Sequence, residues 1–495
     1  MTDERLSRRT ILGTSLGASL AVPATSLGRR SAAAAAQEPR TFPVQESIRP
    51  VLTPVADLAA APSDELHVAI APNVPPPIAR SDQRTWEVHL ESMEGICPLD
   101  PSKKINTEMW GYRVAGQDDV RCGSPGPVLR GRVGDFVTIT LTCLASSMNP
   151  HNIDFHAVTG QGGGAAALTV NPGETKSVHV RLLYPGAFMY HCAYGDVPSH
   201  IAHGMYGMFI VDPEEPLPPV DHEWSISQSE WYVGVPGPTE EGVAPFDRAS
   251  LTNENPRYVT FNGRTDALID DNALAMQTGE RGRIYFVNQG LNLVSSFHPI
   301  GSHWDLVYPE AATHPSNRAI RGSQSTLVVA GGGTVVEIDA LVPSTVILVD
   351  HSLVRAFYKG ALGQIVIDGE PDPEIFGIPE GQTATPEEAT PVAEIDVEIS
   401  IPEGAYLPEN ADHGYDPPVA EFPVGTTVRW TNHDTVAHTV TSGISDGLAG
   451  MPDGYFDSGF VEPGGAFIFT FDEVSVHSYY CVPHPWMRGT LVVTE

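Results

Sequence analysis

The chain has 495 residues, with 28 Lys and Arg against 61 Asp and Glu, so its formal net charge is −33 at pH 7. That length exceeds what one hydrophobic core normally organises, and such acidity argues against a nucleic-acid partner, whose phosphates require a basic surface. Short apolar runs, punctuated by 47 Gly and 44 Pro, indicate an all-β protein.

The N-terminus has the pattern of an export signal. Arg8 and Arg9 form a twin-arginine pair, and residues 11–22 follow as a mild apolar stretch. That stretch is too short to cross a bilayer core of about 30 Å, which needs about 20 residues. We therefore expect residues 1–36 to be a twin-arginine signal peptide and the exported protein to be periplasmic or otherwise extracytoplasmic.

Strand-like runs separated by turn residues recur in three blocks, residues 85–215, 216–370 and 395–495. The predicted strands are, in chain order, 85–91, 133–143, 175–182, 187–192, 283–288, 326–329, 334–338, 345–349, 397–401, 427–431, 466–471, 478–481 and 489–493. A Pro- and Ala-rich arm, residues 37–84, precedes the first block. A Pro-rich linker, residues 371–394, precedes the last block and would reach about 70 Å if extended at about 3.1 Å per residue. The sequence therefore predicts three β-sandwich domains in tandem.

The last block carries the ligands of a blue-copper centre. Cys481, His484 and Met487 are spaced three residues apart, and His438 lies on an upstream segment. One thiolate and two imidazoles form a trigonal set, and a weak axial thioether allows both oxidation states of copper without large rearrangement. The pattern predicts a copper site, with an incidental buried cysteine as the less favoured interpretation.

The first block repeats this pattern with a longer loop. Cys192, His200 and Met205 form the loop, and the upstream histidine lies in the stretch PHNIDFH, which begins with Pro150 and His151. This arrangement predicts a second blue-copper centre.

Two histidines of the first block are left over, His156 and His191. Successive side chains of a strand point to opposite faces, so an inward Cys192 places His191 on the outer face. His151 and His156 are five residues apart, so they also face opposite ways, and Asp154 shares the face of His156. The sequence thus predicts an outward patch of Asp154, His156 and His191, which needs a third imidazole to complete an open copper site.

The middle block contains no cysteine and therefore has no blue-copper centre of its own. Its two conspicuous histidine-bearing strands contain His298, in SSFHPIG, and His351, in VDHSL. Both are candidates for the missing third imidazole.

Residues 395–495 resemble the amicyanin and plastocyanin group of small cupredoxins. Residues 67–370 resemble the copper-containing nitrite reductases, in the stretches PHNIDFHAVTGQGGGAA, YHCAYGDVPSHIAHGMYG, NLVSSFHPIG and VDHSLVRAFYKGALGQ. The gap between Cys192 and His200 matches the shorter-loop branch, which includes the neisserial outer-membrane enzymes. The resemblance implies three cupredoxin-like Greek-key β-sandwich domains in a homotrimer.

The same resemblance assigns roles to residues. Type 1 copper would be held by His151, Cys192, His200 and Met205, and a second type 1 copper by His438, Cys481, His484 and Met487. Type 2 copper would be held by His156 and His191, with His351 from a neighbouring subunit, and Asp154 and His298 would be the catalytic acid and base. The implied reaction is the reduction of nitrite to nitric oxide. An upstream donor, such as a small cupredoxin or a c-type cytochrome, would supply electrons, directly or through the C-terminal domain.

Two other functions are weighed against this one. A multicopper oxidase builds its trinuclear cluster from His-x-His pairs, and none of the 18 histidines is two residues from another. A non-catalytic electron carrier would not need Asp154, His298 or His351, and all three are present.

Three cysteines and one glycine run fall outside these assignments. Cys97, Cys122 and Cys143 leave their pairing open, although an exported protein allows a disulfide and Cys143 has the setting of a buried thiol. The run Gly162 to Gly164 lacks the helix and lysine of a phosphate loop. It predicts close chain approach beside the copper sites.

Overall fold

The computed structural model describes residues 48–118, 121–234, 242–379 and 397–494. The predicted signal peptide, the first part of the arm up to residue 47 and the linker residues 380–394 lie outside the described residues. Within the described part of the chain, no helix is long and apolar enough to span a bilayer. The α-helices are short: α1 (Val197–Ala202), α2 (Arg248–Thr252) and α3 (Leu353–Lys359). The 3₁₀ helices are Val55–Asp57, Pro101–Lys103, Gln161–Gly164, Asp270–Asn272, Pro309–Ala311 and Pro408–His413.

The first sandwich surrounds a core that includes Leu90, Leu141 and Cys192. Its strands are β1 (Val68–Ala69), β2 (Thr85–Asp100), β3 (Ile105–Val114), β4 (Val128–Arg132), β5 (Phe136–Cys143), β6 (Asp154–Phe155), β7 (Thr175–Arg181), β8 (Gly186–His191) and β9 (Tyr206–Asp212). One sheet has the order β1-β4-β9-β8-β6, so the arm contributes its edge strand β1. The other has the order β3-β2-β5-β7. Strand β5 alternates half-buried and buried residues, as its polar–apolar sequence requires.

The second sandwich has a separate core that includes Phe286, Phe297 and Trp304. Its strands are β10 (His222–Trp231), β11 (Val243–Ala244), β12 (Tyr258–Phe261), β13 (Leu274–Gln277), β14 (Arg281–Asn288), β15 (Ser295–Ile300), β16 (Trp304–Tyr308), β17 (Ile320–Ser323), β18 (Thr326–Val328), β19 (Gly333–Asp339), β20 (Ser344–Asp350) and β21 (Leu362–Asp368). Its sheets have the orders β12-β10-β14-β19-β16-β17 and β13-β21-β20-β15-β18. The short β11 instead pairs with β3 of the first sandwich.

The third sandwich is built around Trp430, Tyr415 and Cys481. Its strands are β22 (Val397–Ile401), β23 (Val419–Pro423), β24 (Thr427–Asn432), β25 (Thr441–Ser445), β26 (Gly450–Asp457), β27 (Ala466–Thr470), β28 (Ser475–Tyr480) and β29 (Arg488–Thr494). They form sheets of order β22-β24-β27 and β23-β29-β28-β25-β26. The predicted all-β class, with three cupredoxin-like sandwiches, is therefore confirmed.

Strand β8 is buried on both faces. Tyr190 belongs to the core of the first sandwich, whereas Ala187 and Met189 join a second apolar cluster that includes Tyr285 and Val287 of the second sandwich. The end of β8 therefore presents one residue to the first core and the next residue to the side on which the second sandwich packs.

Strand β2 is much longer than predicted. The predicted run 85–91 continues to Asp100, paired along this extension with β3. A disulfide between Cys97 and Cys122 fastens the end of this extension, and Cys143 is a buried free thiol. This settles the pairing that spacing alone left open.

Candidate metal centres

The four residues predicted for the first blue-copper centre come together at one end of the first sandwich. His151, Cys192 and Met205 are fully buried, and His200, on α1, is nearly so. The Nδ1 atoms of His151 and His200 lie 3.3 Å apart, and Cys192 Sγ lies 3.3 Å from His200 Nδ1. The backbone N–H of Cys192 donates to the carbonyl of Met205 at 3.1 Å. Two imidazole nitrogens and a thiol thus converge beside the methionine.

These nitrogens are available to a metal at neutral pH. Burial lowers the pKa of His200 to about 4, and the neighbouring rings of His151 and His203 act in the same direction. A neutral imidazole offers a lone pair, and a soft thiolate with imidazoles is the donor set that copper prefers. The residues present therefore fit a copper ion.

A carboxylate that sequence reasoning missed orients His151. Glu94 Oε1 lies 2.9 Å from His151 Nε2, and the two carboxylate oxygens also accept from the backbone N–H groups of Met148 at 2.8 Å and Asn149 at 3.0 Å. Burial opposes ionisation of Glu94, but these hydrogen bonds overcome it and hold its pKa below the ordinary value. An ionised carboxylate only accepts, so Nε2 carries the proton and Nδ1 faces the centre with its lone pair.

The third sandwich repeats this arrangement. The Nδ1 atoms of His438 and His484 lie 3.2 Å apart, at 3.6 and 3.5 Å respectively from Cys481 Sγ. The N–H of Cys481 donates to the carbonyl of Met487 at 3.2 Å. Asp434 Oδ2 lies 2.9 Å from His438 Nε2, and so makes the same contact with its histidine that Glu94 makes with His151. This donor set also fits copper.

A different cluster lies on the outward side of β8. Ligand atoms of Asp154, His156 and His191 all lie within 4.8 Å of one another, and the Nε2 atoms of the two histidines are 3.2 Å apart. Strands β6 and β8 set this geometry, because Asp154 is the register partner of His191. Cys192 is buried and His191 is half-buried on the opposite face, so the alternation predicted from the sequence places them as expected.

The glycine run passes close to the carboxylate of this cluster. Gly163 has a φ of +54°, and a Cβ built on it would fall 2.0 Å from Asp154 Oδ1. Only a residue without a side chain allows this approach. The predicted close approach is thus present, and it is directed at Asp154.

His298 and His351 form a separate pair. His298 lies within β15 and His351 directly follows the neighbouring strand β20, with ring centroids 4.9 Å apart in a T-shaped arrangement. His298 Nδ1 is bonded to the carbonyl of Gln324, and His351 is exposed. Neither belongs to the group formed by Asp154, His156 and His191 within one chain. The structure therefore leaves that group with two imidazoles.

Sequence reasoning also missed an aromatic residue that contacts the first centre. Trp110, on β3, stacks on His203 with centroids 4.0 Å apart and meets the edge of His200 at 5.0 Å. His203 is buried, and its Nδ1 is hydrogen-bonded to the carbonyl of Ser199 at 2.6 Å. The long β2–β3 extension places Trp110, and no local pattern marks that extension.

Comparisons with known proteins show that this chain is similar to copper proteins. Residues 407–494 match the family described as copper binding proteins, plastocyanin/azurin family, and residues 100–215 match the family described as multicopper oxidase. The copper-containing nitrite reductase of Neisseria meningitidis serogroup A is 43% identical over 307 residues, which are 62% of this chain and 75% of that protein. The copper-containing nitrite reductase of Pseudomonas chlororaphis is 33% identical over 269 residues, 51% of this chain and 72% of that protein. The solved copper nitrite reductase from Nitrosomonas europaea has 34% identity and a TM-score of 0.50, covering 59% of this chain and 96% of its own.

Proposed function

This chain belongs to the copper-containing nitrite reductase family, and we propose that it reduces nitrite to nitric oxide and water. The balanced reaction consumes one nitrite, one electron and two protons. The observation that carries the proposal is that His191, the last residue of β8, is directly followed by Cys192. Two different groups of candidate metal ligands therefore lie on opposite sides of the end of this strand.

We assign the copper ligands as follows. The two type 1 sites use the cysteine-containing sets: His151, Cys192, His200 and Met205 in the first sandwich, and His438, Cys481, His484 and Met487 in the third. The type 2 site uses His156 and His191 together with His351 of the partner subunit. When bound, copper at the cysteine sites supplies one-electron transfer, and copper at the all-histidine site supplies Lewis-acid activation of nitrite.

Side chains of the protein would supply the protons, and its backbone would supply the electron path between the two proposed copper sites of the first sandwich. Asp154 lies within 4.8 Å of the His156 and His191 ligand atoms, close enough to hydrogen-bond a nitrite oxygen and deliver a proton. His298 of the partner subunit would supply the second proton, because the ring of His298 contacts the ring of His351 and both would reach the site together. The peptide between His191 and Cys192 provides a short covalent route for the electron.

A homotrimer would complete the type 2 site. The surface beside His351 is apolar: Val354 is 60%, Phe357 56% and Tyr358 80% exposed on α3. Contiguous apolar surface of this kind is typical of a protein interface. A second copy covering it would bring His351 towards the two imidazoles of its neighbour, which lack a third.

We further propose that the third sandwich delivers electrons to the first. Tethering raises the effective concentration of one copper centre at the other. The ultimate donor would be a small cupredoxin or a c-type cytochrome, and the location would be periplasmic or otherwise extracytoplasmic after twin-arginine export.

The central test supplies nitrite and a reductant to the copper-loaded protein and measures nitric oxide. Asp154→Asn should lower turnover at least about 100-fold, because general-acid catalysis contributes that much or more, while copper stays at three ions per chain. The exposed Asp64→Asn is the matched control and should not change turnover. No nitric oxide from the fully loaded parent would refute the function, and a stoichiometry of two would favour a pure electron carrier.

A second test addresses the third sandwich. Cys481→Ser should slow turnover with a protein donor and leave turnover with a small artificial reductant intact. Cys143→Ser makes the same atomic change at a buried thiol outside the copper sets. Equal rates for the Cys481→Ser protein and the parent with every donor would refute electron delivery through this domain.

A further inference from the structure

Each cysteine-containing centre has a fully buried tyrosine behind it. The hydroxyl of Tyr112 donates to the backbone carbonyl of Asn152 at 2.5 Å, and the hydroxyl of Tyr415 donates to that of Thr439 at 2.6 Å. Asn152 and Thr439 occupy equivalent places, because each directly follows the upstream histidine of its centre. The same hydrogen bond therefore recurs in two domains.

The two residues held by these tyrosines reach the cysteine loop. Asn152 Oδ1 accepts from the N–H of Ala193 at 2.7 Å, and Thr439 Oγ1 accepts from the N–H of Val482 at 2.8 Å. Ala193 and Val482 are the residues directly after the two cysteines. A continuous chain of hydrogen bonds thus runs from each tyrosine, through the histidine segment, to the cysteine segment.

The sulfur atoms lie inside this chain of contacts. The N–H of Thr439 donates to Cys481 Sγ at 3.3 Å, and Cys192 Sγ lies 3.7 Å from Asn152 Oδ1. A shift of the held residue would therefore move the sulfur relative to the histidine nitrogens. The side-chain oxygen comes from an amide in Asn152 and from a hydroxyl in Thr439, whereas the tyrosine hydroxyl is chemically the same in both domains.

A tyrosine is not needed here merely to fill the core. Phenylalanine would occupy nearly the same volume, and a buried hydroxyl carries a desolvation cost unless it is hydrogen-bonded. Tyr190 offers the comparison: it is buried, its ring contacts Tyr112 with centroids 5.7 Å apart, and its hydroxyl donates to the carbonyl of Pro127 at 2.6 Å. This hydrogen bond is of the same kind, but its acceptor, Pro127, does not adjoin a proposed ligand histidine in the sequence.

We propose that Tyr112 and Tyr415 are positioning residues of the two type 1 centres, holding the histidine and cysteine segments so that the thiolate and the two Nδ1 atoms are placed before copper binds. The proposal rests on the proposed copper ligands but not on the nitrite chemistry. The hydroxyl of Tyr112 also interacts with the thiol of Cys192, but neither hydroxyl is a proposed copper ligand or touches substrate.

The test isolates one thiolate at a time in the full chain. Tyr112→Phe is made in a chain carrying Cys481→Ser, and Tyr415→Phe in a chain carrying Cys192→Ser, and each is loaded with copper alone. We expect the thiolate-to-copper absorption band and the copper hyperfine splitting to shift, and copper transfer to a chelator to become about tenfold more favourable, the effect of one buried hydrogen bond with its acceptor left unpaired.

Tyr190→Phe in the Cys481→Ser chain is the matched control and should leave the band, the splitting and the copper affinity as in its parent. The proposal is overturned if Tyr112→Phe changes only thermal stability, or if Tyr190→Phe shifts the band equally. If Tyr112→Phe does not fold, Tyr415→Phe in the third sandwich decides by the same measurements. A shifted band in a protein that yields no nitric oxide would refute the proposed reaction and leave this inference standing.

Discussion

Gly163→Ala tests whether the position of Asp154 controls turnover. The added Cβ would lie 2.0 Å from Asp154 Oδ1 and 2.7 Å from both the N and the O of Phe155. Carbon atoms do not approach oxygen closer than about 3 Å, so the carboxylate must move by at least about 1 Å. Because the Phe155 backbone belongs to β6, the loop cannot simply swing towards it.

Two separate costs follow from this substitution. Alanine at a φ of +54° costs about 1–2 kcal/mol of unfolding free energy, because its Cβ crowds the backbone in the left-handed region. Displacing a proton donor by about 1 Å costs on the order of 100-fold in turnover. We therefore expect a modest loss of stability and a large loss of kcat.

The assay compares Gly163→Ala with Gly162→Ala, both loaded with copper and supplied with a small reductant. Gly162 has a φ of +56°, but its added Cβ would meet only Ala165, at 3.6 Å. The control thus carries the same backbone cost without the clash. Both variants should lose the backbone contribution to stability, Gly163→Ala should lose more because of its clash with Phe155, and only Gly163→Ala should lose kcat, with the type 1 absorption unchanged. Equal turnover for the two variants would refute the reasoning.

Three further predictions concern Glu94, His200 and the disulfide of Cys97. Glu94→Gln removes a negative charge beside His151 and should raise the midpoint potential of that copper by about 40 mV, equivalent to about 1 kcal/mol, since the anion favours the oxidised ion; voltammetry showing a lowered potential would contradict this. In the metal-free protein, the lowered pKa of His200 means that the folded state binds fewer protons than the unfolded state between pH 4 and pH 6.5. The free energy of unfolding should therefore be highest above pH 6.5, the pKa of His200 in the unfolded chain, and should fall as the pH is lowered towards 4. Denaturant midpoints that do not change across this pH range would disprove the prediction. Cys97→Ser opens a disulfide spanning 25 residues and should lower the unfolding free energy by about 3 kcal/mol; an unchanged midpoint under non-reducing conditions would show that the cross-link does not stabilise the protein.

The convergence of the candidate metal ligands could be predicted because their sequence signals are local. Cys192, His200 and Met205 occupy one loop, and strand alternation alone separates the face of Cys192 from that of His191. Side-chain direction along a strand is fixed by backbone geometry and needs no knowledge of the partner strands. The structure accordingly brings together each cysteine-containing set and the outward group with Asp154.

The supporting residues could not be predicted, because their contacts depend on tertiary pairing. Glu94 is 57 positions from His151, and Tyr112 is 40 positions from the residue it holds. Neither lies in a motif, and a glutamate or a tyrosine on a strand has ordinary interpretations. What places them is the pairing of β2 with β3 and its extension beyond the predicted run, which depends on contacts across the fold.

The pairing of β8 explains why the two proposed copper sets of the first sandwich depend on each other. His191 and Cys192 point to opposite faces in any register, but the observed register, in which β8 pairs with both β6 and β9, directs Cys192 into the core and His191 outward. A slip of one residue would exchange the faces, bury the histidine and expose the thiol, so both sets would be lost together. Burial of β8 on both faces opposes such a slip, since Met189 and Tyr190 pack in different apolar clusters. Hydrophobic packing on the two sides of one strand therefore maintains the short route that we propose for the electron.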